Sequence, residues 1–193
     1  MCGGLCPVCV PAAEPGRIFV QAGVYDEFVQ KFTAATQKRT QGIGFSDVSM
    51  RPQVSEEQFD RIHKYIEIGK REGAVAATGG GGKQGGAPGY FIKPTIFTGV
   101  TDDMTIAKEE IFGPVTAVMK FTTLDEGIAR ANKSVYGLAA GIFTRDLNTA
   151  FKYAALVKAG TVWVNTYNAF DAAQPFGGFK QSGMGRKLGE GVL

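Results

Sequence analysis

Between residues 17 and 165 the apolar positions switch repeatedly between a two-residue and a helical period, the pattern of an α/β protein in which strands and helices alternate. Residues 17–22 (RIFVQA) predict a strand, and residues 25–39 a helix with Phe28, Val29 and Phe32 on one face. The next helix is spelled most fully: Ser55-Glu56-Glu57-Gln58 is a capping box, Phe59, Ile62 and Ile66 follow at helical spacing, and Gly73 stops it. A small-residue run (74–78) and a glycine-rich loop lead to a β-like stretch, residues 90–100, where Pro94 suggests a bend or an edge strand.

Residues 115–121 predict a strand, and Thr123 with Glu126 a second capping box for a helix through Asn132. A strand at 139–143 precedes a helix capped by Asp146, running to Lys158 and ended by Gly160. TVWVN (161–165) is the last strand. The fold class expected is α/β, a mostly parallel sheet with helices on both faces, whose ligands bind in loops at the strand ends.

The chain has 193 residues, with 21 Lys and Arg against 18 Asp and Glu and a net charge of +3. That length buries one sizeable core, and basic residues scattered among acidic ones argue against a nucleic-acid partner. No apolar run approaches the roughly 18–20 residues that span a bilayer, so no membrane partner is expected. The three cysteines, Cys2, Cys6 and Cys9, sit in the first nine residues; an odd, clustered set is no disulfide framework and points to a reducing compartment, the cytoplasm or the mitochondrial matrix. The sequon Asn132-Lys133-Ser134 is read as an accident of composition.

Four patterns bear on chemistry. Cys2-x3-Cys6-x2-Cys9 has a spacing by which three thiolates hold an iron–sulfur cluster, yet Val8 stands where such sites carry an aromatic residue. A zinc site lacks ligands, since the single histidine, His63, falls within a helix. Gly80-Gly81-Gly82-Lys83-Gln84-Gly85 matches G-x-G-x-x-G formally, but a β-like run follows it rather than a helix, so a surface turn is expected instead of a phosphate cradle.

Glu109-Glu110-Ile111-Phe112-Gly113-Pro114 enters a strand through a Gly-Pro turn, and in an extended segment Glu110 and Phe112 share a face. A carboxylate that accepts two ribose hydroxyls beside a ring facing a planar heterocycle suits a dinucleotide. A solvated acidic pair followed by a core phenylalanine is the other reading. Residues 165–186 carry Phe170 and Phe176 on a loop too long for a connecting turn, which fits either a pocket wall or packing beneath the loop.

Taken together, MTIAKEEIFGPV (104–115), YGLAAGIFTRD (136–146), AGTVWVN (159–165) and PFGGFKQSGMGRKLGE (175–190) resemble the aldehyde dehydrogenase superfamily. RIFVQ, EEQFDRI and GYFIKPT match in the same order, so the likeness covers residues 17–193. The resemblance implies two segments: an irregular, non-matching stretch (1–16) and a catalytic domain of the aldehyde dehydrogenase fold (17–193), truncated at both ends. It implies oxidation of an aldehyde to a carboxylic acid with NAD or NADP through a cysteine thioester. It implies that Glu110 binds the nicotinamide ribose, Phe112 lies beside the nicotinamide, and Gln58 adds a ribose contact. It also implies that Asn168, Phe170 and Phe176 fall along the aldehyde tunnel.

The departures are as specific. The family's nucleophilic cysteine lies five residues before the arginine matching Arg17, a position held by Ala12; Cys9 is the nearest thiol, three residues early. Family members homo-oligomerise, but the final strand that serves this is not matched. The isolated chain is therefore expected to be incomplete as a catalyst. The alternatives are a non-catalytic fragment that binds full-length subunits and an iron–sulfur protein using Cys2, Cys6 and Cys9.

Overall fold

A computed structural model describes residues 16–43, 45, 47–81 and 89–190. Along them, β1 (Arg17–Gln21) passes through a 3-10 turn (Ala22–Val24) into α1 (Tyr25–Gln37), and α2 (Glu56–Arg71) precedes β2 (Val75–Thr78) and β3 (Thr95–Thr98). A single helical turn, α3 (Thr105–Lys108), leads to β4 (Val115–Phe121) and α4 (Leu124–Asn132). The chain then forms β5 (Tyr136–Gly137), β6 (Ala139–Ile142), α5 (Leu147–Leu156), β7 (Thr161–Val164) and β8 (Phe179–Lys180). The expected α/β alternation is present.

The expected caps form as local chemistry requires. Ser55 Oγ accepts from Gln58 N (3.2 Å), and Thr123 Oγ1 accepts from Glu126 N (3.2 Å) while Glu126 Oε2 accepts from Thr122 N (2.8 Å). The Asp146 carboxylate accepts from Asn148 N (3.2 Å) and Thr149 N (3.0 Å). Every bond but that of Thr122, which precedes its cap, satisfies an N–H that a helix start leaves unpaired. At the end of α2, Gly73 takes φ +99°, the left-handed turn that a glycine stop supplies.

The described residues fall into two compact units. One comprises residues 16–18 and 25–119. In the four-stranded sheet, of order β1-β4-β3-β2, β3 runs parallel to β4 with Thr95 opposite Val115, and antiparallel to β2. The edge position suggested by Pro94 is therefore wrong: β3 is paired on both sides. The proline stands one residue before the strand, where its missing N–H interrupts no ladder. Helix α2 buries Phe59, Ile62, Ile66 and Gly69. A Cβ on Gly69 would lie 3.0 Å from Ile106 Cδ1 and 3.3 Å from Phe97 Cε2, so the bare glycine lets α3 and β3 close onto the helix. Glu72 completes that contact, its carboxylate accepting from Thr105 N (2.7 Å) and Oγ1 (2.6 Å) at the start of α3.

The other unit comprises residues 19–24 and 120–190. Here β6 runs parallel to β7, with Gly141 opposite Trp163, and β5 pairs antiparallel with β8. Helix α5 ends at Leu156 rather than at Lys158, because Val157 is already extended. Its terminus is held by the Asn132 side chain, which donates to Leu156 O (2.9 Å) and accepts from Lys158 N (2.7 Å). The sequon asparagine is thus a tertiary clip between the ends of α4 and α5. Gly160 serves another purpose: a Cβ there would sit 1.7 Å from Gly177 O. Helix α1 likewise stops at Gln37, two residues before the expected Arg39.

Candidate functional site

The Glu109–Gly113 segment leaves α3 and enters β4, in the unit that holds α2. Glu110 is exposed, Ile111 is 5% exposed, and Phe112 is 64% exposed. Ile111 anchors the segment in the core and leaves its two neighbours outward. The reading of Phe112 as a core residue is overturned. So is the extended backbone expected there: Phe112 has φ +54°, a left-handed conformation that costs a non-glycine residue roughly 1–2 kcal/mol. Such strain persists only where surrounding contacts impose it, and it concentrates at functional positions.

The segment's contacts come from α2. Gln58 Nε2 donates to Phe112 O (2.6 Å) and Tyr65 Oη donates to Glu109 Oε2 (2.7 Å). Arg61 Nη2 makes a longer bond to Glu110 O (3.4 Å). The hydrogen bond to Glu109 pushes the Tyr65 phenol above its ordinary range. Ile62 packs against Gly113, where a Cβ would stand 2.4 Å from Ile62 Cδ1. The structure therefore brings Gln58, Glu110 and Phe112 together, with one of the two Gln58 amide N–H groups donated to the Phe112 carbonyl.

The Glu110 carboxylate itself meets no donor among the described residues, and the Phe112 ring no aromatic partner. An outward carboxylate and a bare ring separated by one buried residue match a sugar diol attached to a flat heterocycle. This acceptor and ring thus fit a nicotinamide ribose.

Asn168, Phe170 and Phe176 lie in the other unit, on the loop after β7. Trp163 organises it: its Nε1 donates to Ala169 O (2.8 Å), its ring lies 4.7 Å from Tyr167, and Phe170 meets it edge-on at 5.5 Å. Phe170 in turn packs edge-on against Phe176 at 5.0 Å. Phe170 remains 55% exposed, so the loop presents an aromatic wall that is packed from behind and open in front. Asn165 and Asn168 both take φ +55°, and Asn168 Oδ1 is buried without a partner among the described residues. Asn165 continues the β6–β7 ladder with its side chain, accepting from Thr144 N (2.8 Å) and donating to Thr144 O (2.9 Å).

Sequence reasoning missed Arg61, Tyr65, Trp163 and Tyr167 as parts of these sites. The signal for the first two was their spacing from Gln58, three and seven residues along one helical face. His63 is half-buried on α2, with Nδ1 3.0 Å from Phe59 O. Among the described residues no cluster could hold a metal, and no helix is long and apolar enough to cross a membrane. Cys2, Cys6, Cys9, Ala12 and most of the glycine-rich motif (82–85) lie outside the described residues.

Comparison with known proteins is consistent in every direction. The sequence pattern of the aldehyde dehydrogenase family matches residues 9–193, reaching back past Arg17 to Cys9. An aldehyde dehydrogenase of Davidiella tassiana is 54% identical over 92% of this chain, which spans 36% of that protein. The cytosolic aldehyde dehydrogenase 2 of Macroscelides proboscideus is 53% identical over 94% of this chain and 74% of its own length. Among solved structures, the NAD+ complex of a Bacillus cereus aldehyde dehydrogenase superposes with a TM-score of 0.89 at 49% identity, covering 92% of this chain and 36% of that one. The chain thus spans about a third of the length of the first and third of these proteins.

Proposed function

The chain belongs to the aldehyde dehydrogenase family, and from that premise we propose that it serves the oxidation of an aldehyde to a carboxylic acid with NAD or NADP. Residues 17–193 act as catalytic-domain sequence. Glu110, Phe112 and Gln58 form the nicotinamide-ribose site, and Asn168, Phe170 and Phe176 form part of the aldehyde-binding wall. The observation that carries this reading is the outward pair on either side of buried Ile111: a carboxylate without a donor among the described residues and a ring held in a strained, open position.

Each residue has a task its chemistry supports. Glu110 accepts hydrogen bonds from two vicinal hydroxyls, a charge-assisted contact stronger than a neutral one. Phe112 offers an apolar face to a planar ring, and Gln58 holds that face in place. The bound coenzyme supplies the hydride acceptor. On the aldehyde side, the Trp163-backed wall of Phe170 and Phe176 favours an apolar substrate and excludes water. Position 12 holds Ala12, which cannot form a thioester. The chain's proposed compartment is the cytoplasm, with the mitochondrial matrix as the alternative.

The test is saturation-transfer NMR with NADH. Transfer from the protein to nicotinamide and adjacent ribose protons, reduced in Phe112→Ala, supports the reading. Absence of transfer to those protons contradicts it.

A further inference from the structure

The capping box at the start of α2 is only half closed. In the complete motif the residue at Gln58 reaches back to the N–H of the capping serine. Here Ser55 Oγ still accepts from Gln58 N, but the Gln58 side chain turns away and donates to Phe112 O, 54 residues along the chain. A local bond available at almost no entropic cost has been exchanged for a distant one at 2.6 Å. Moving along the same face, Arg61 reaches Glu110 O and Tyr65 reaches the Glu109 carboxylate. Between these polar contacts Ile62 fills the space above Gly113. Helix positions 58, 61, 62 and 65 therefore meet segment positions 112, 110, 113 and 109.

A helix is stiff, whereas a strained turn of five residues is not. Fastening the second to the first at several points is how a scaffold presents a binding group with little freedom to lose. We propose that Gln58, with Arg61 and Tyr65, is a positioning device on α2 that locks Phe112 in its left-handed conformation and so sets the geometry of the Glu110–Phe112 pair. This rests on the coenzyme reading of that pair. It adds a positioning role to Gln58: one amide N–H is given to the Phe112 carbonyl, and the second N–H and Oε1 stay available to the sugar.

The sequence provides a selective probe. Phe-Gly steps occur only at Phe112-Gly113 and Phe176-Gly177, so labelling phenylalanine carbonyls with 13C and glycine nitrogens with 15N yields two correlations. The second serves as an internal control. A carbonyl that loses a hydrogen bond shifts upfield. In Gln58→Ala the Phe112 carbonyl should move upfield and the Phe176 carbonyl stay put, with affinity for nicotinamide mononucleotide falling about five- to tenfold, the effect of one net hydrogen bond. Gln58→Glu, which sets a carboxylate against the carbonyl, should do the same, and Tyr65→Phe should shift the Phe112 carbonyl less.

An unmoved Phe112 carbonyl in Gln58→Ala overturns the proposal. So does a moved carbonyl with unchanged affinity, provided Glu110→Gln weakens binding. If Glu110→Gln leaves binding unchanged, the coenzyme reading itself has failed, whatever the carbonyl does.

Discussion

Ile62 and Gly113 are in contact so close that a Cβ at position 113 would lie 2.4 Å from Ile62 Cδ1 and 2.6 Å from Cγ1. Ile62 is fully buried on α2, so it cannot swing aside without disturbing the core. Gly113→Ala should destabilise the protein by about 1–3 kcal/mol through overpacking, measured by urea unfolding. The same substitution on an Ile62→Ala background should cost clearly less, because the clash has been removed. Additive effects would contradict the contact.

Helix α2 was legible because several local signals agreed: a cap at Ser55, apolar residues at helical spacing and a stop at Gly73. The Glu110–Phe112 segment was legible as a candidate but not in its geometry. A period-two reading placed both residues on one face of an extended segment, whereas the left-handed backbone at Phe112 is imposed by Gln58 from far along the chain. The end of α5 shows the same limit, for Gly160 offered a plausible stop and Asn132, in another helix, supplies the real one. The aromatic wall could be suspected from Phe170 and Phe176. Its organiser, Trp163, read only as a strand residue because the ring contacts come from loop residues 167 and 170.

Gly160 faces backbone rather than a side chain, with Gly177 O at 1.7 Å from its would-be Cβ. Nothing there can rotate away. Gly160→Ala should therefore cost at least the upper end of about 1–3 kcal/mol and displace the 165–178 loop. Altered Trp163 fluorescence and near-ultraviolet dichroism from the ring cluster would report it. An unchanged spectrum and midpoint would contradict the packing described.

The caps of α4 and α5 confer a pH dependence of definite sign. The Glu126 carboxyl is held below its ordinary range by the Thr122 N–H, and the Asp146 carboxyl by the Thr149 hydroxyl and N–H. Carboxyls depressed in the folded state stabilise it fully above their unfolded pKa and lose that contribution as pH falls through the folded value. Stability should be flat at neutral pH and decline below about pH 4. Asp146→Asn and Glu126→Gln should each reduce that acid-side slope in chemical unfolding series. A slope unchanged in both variants would contradict the assignment.

Position 12 makes a prediction about turnover. With alanine at the position that the proposed reading assigns to the nucleophile, the chain should show no aldehyde-dependent NADH formation across aliphatic and aromatic aldehydes, followed by absorbance. Turnover abolished by Cys9→Ser would instead make Cys9 the nucleophile.

Binding of the two hydroxyls of a nicotinamide ribose by the Glu110 carboxylate is tested directly by diol dependence. Nicotinamide mononucleotide and its analogue lacking both ribose hydroxyls are titrated into the chain and into Glu110→Gln. The chain should prefer the diol by about ten- to a hundredfold, as expected for hydrogen bonds to a charged acceptor, and Glu110→Gln should remove most of that preference. Equal preference in both proteins would contradict it.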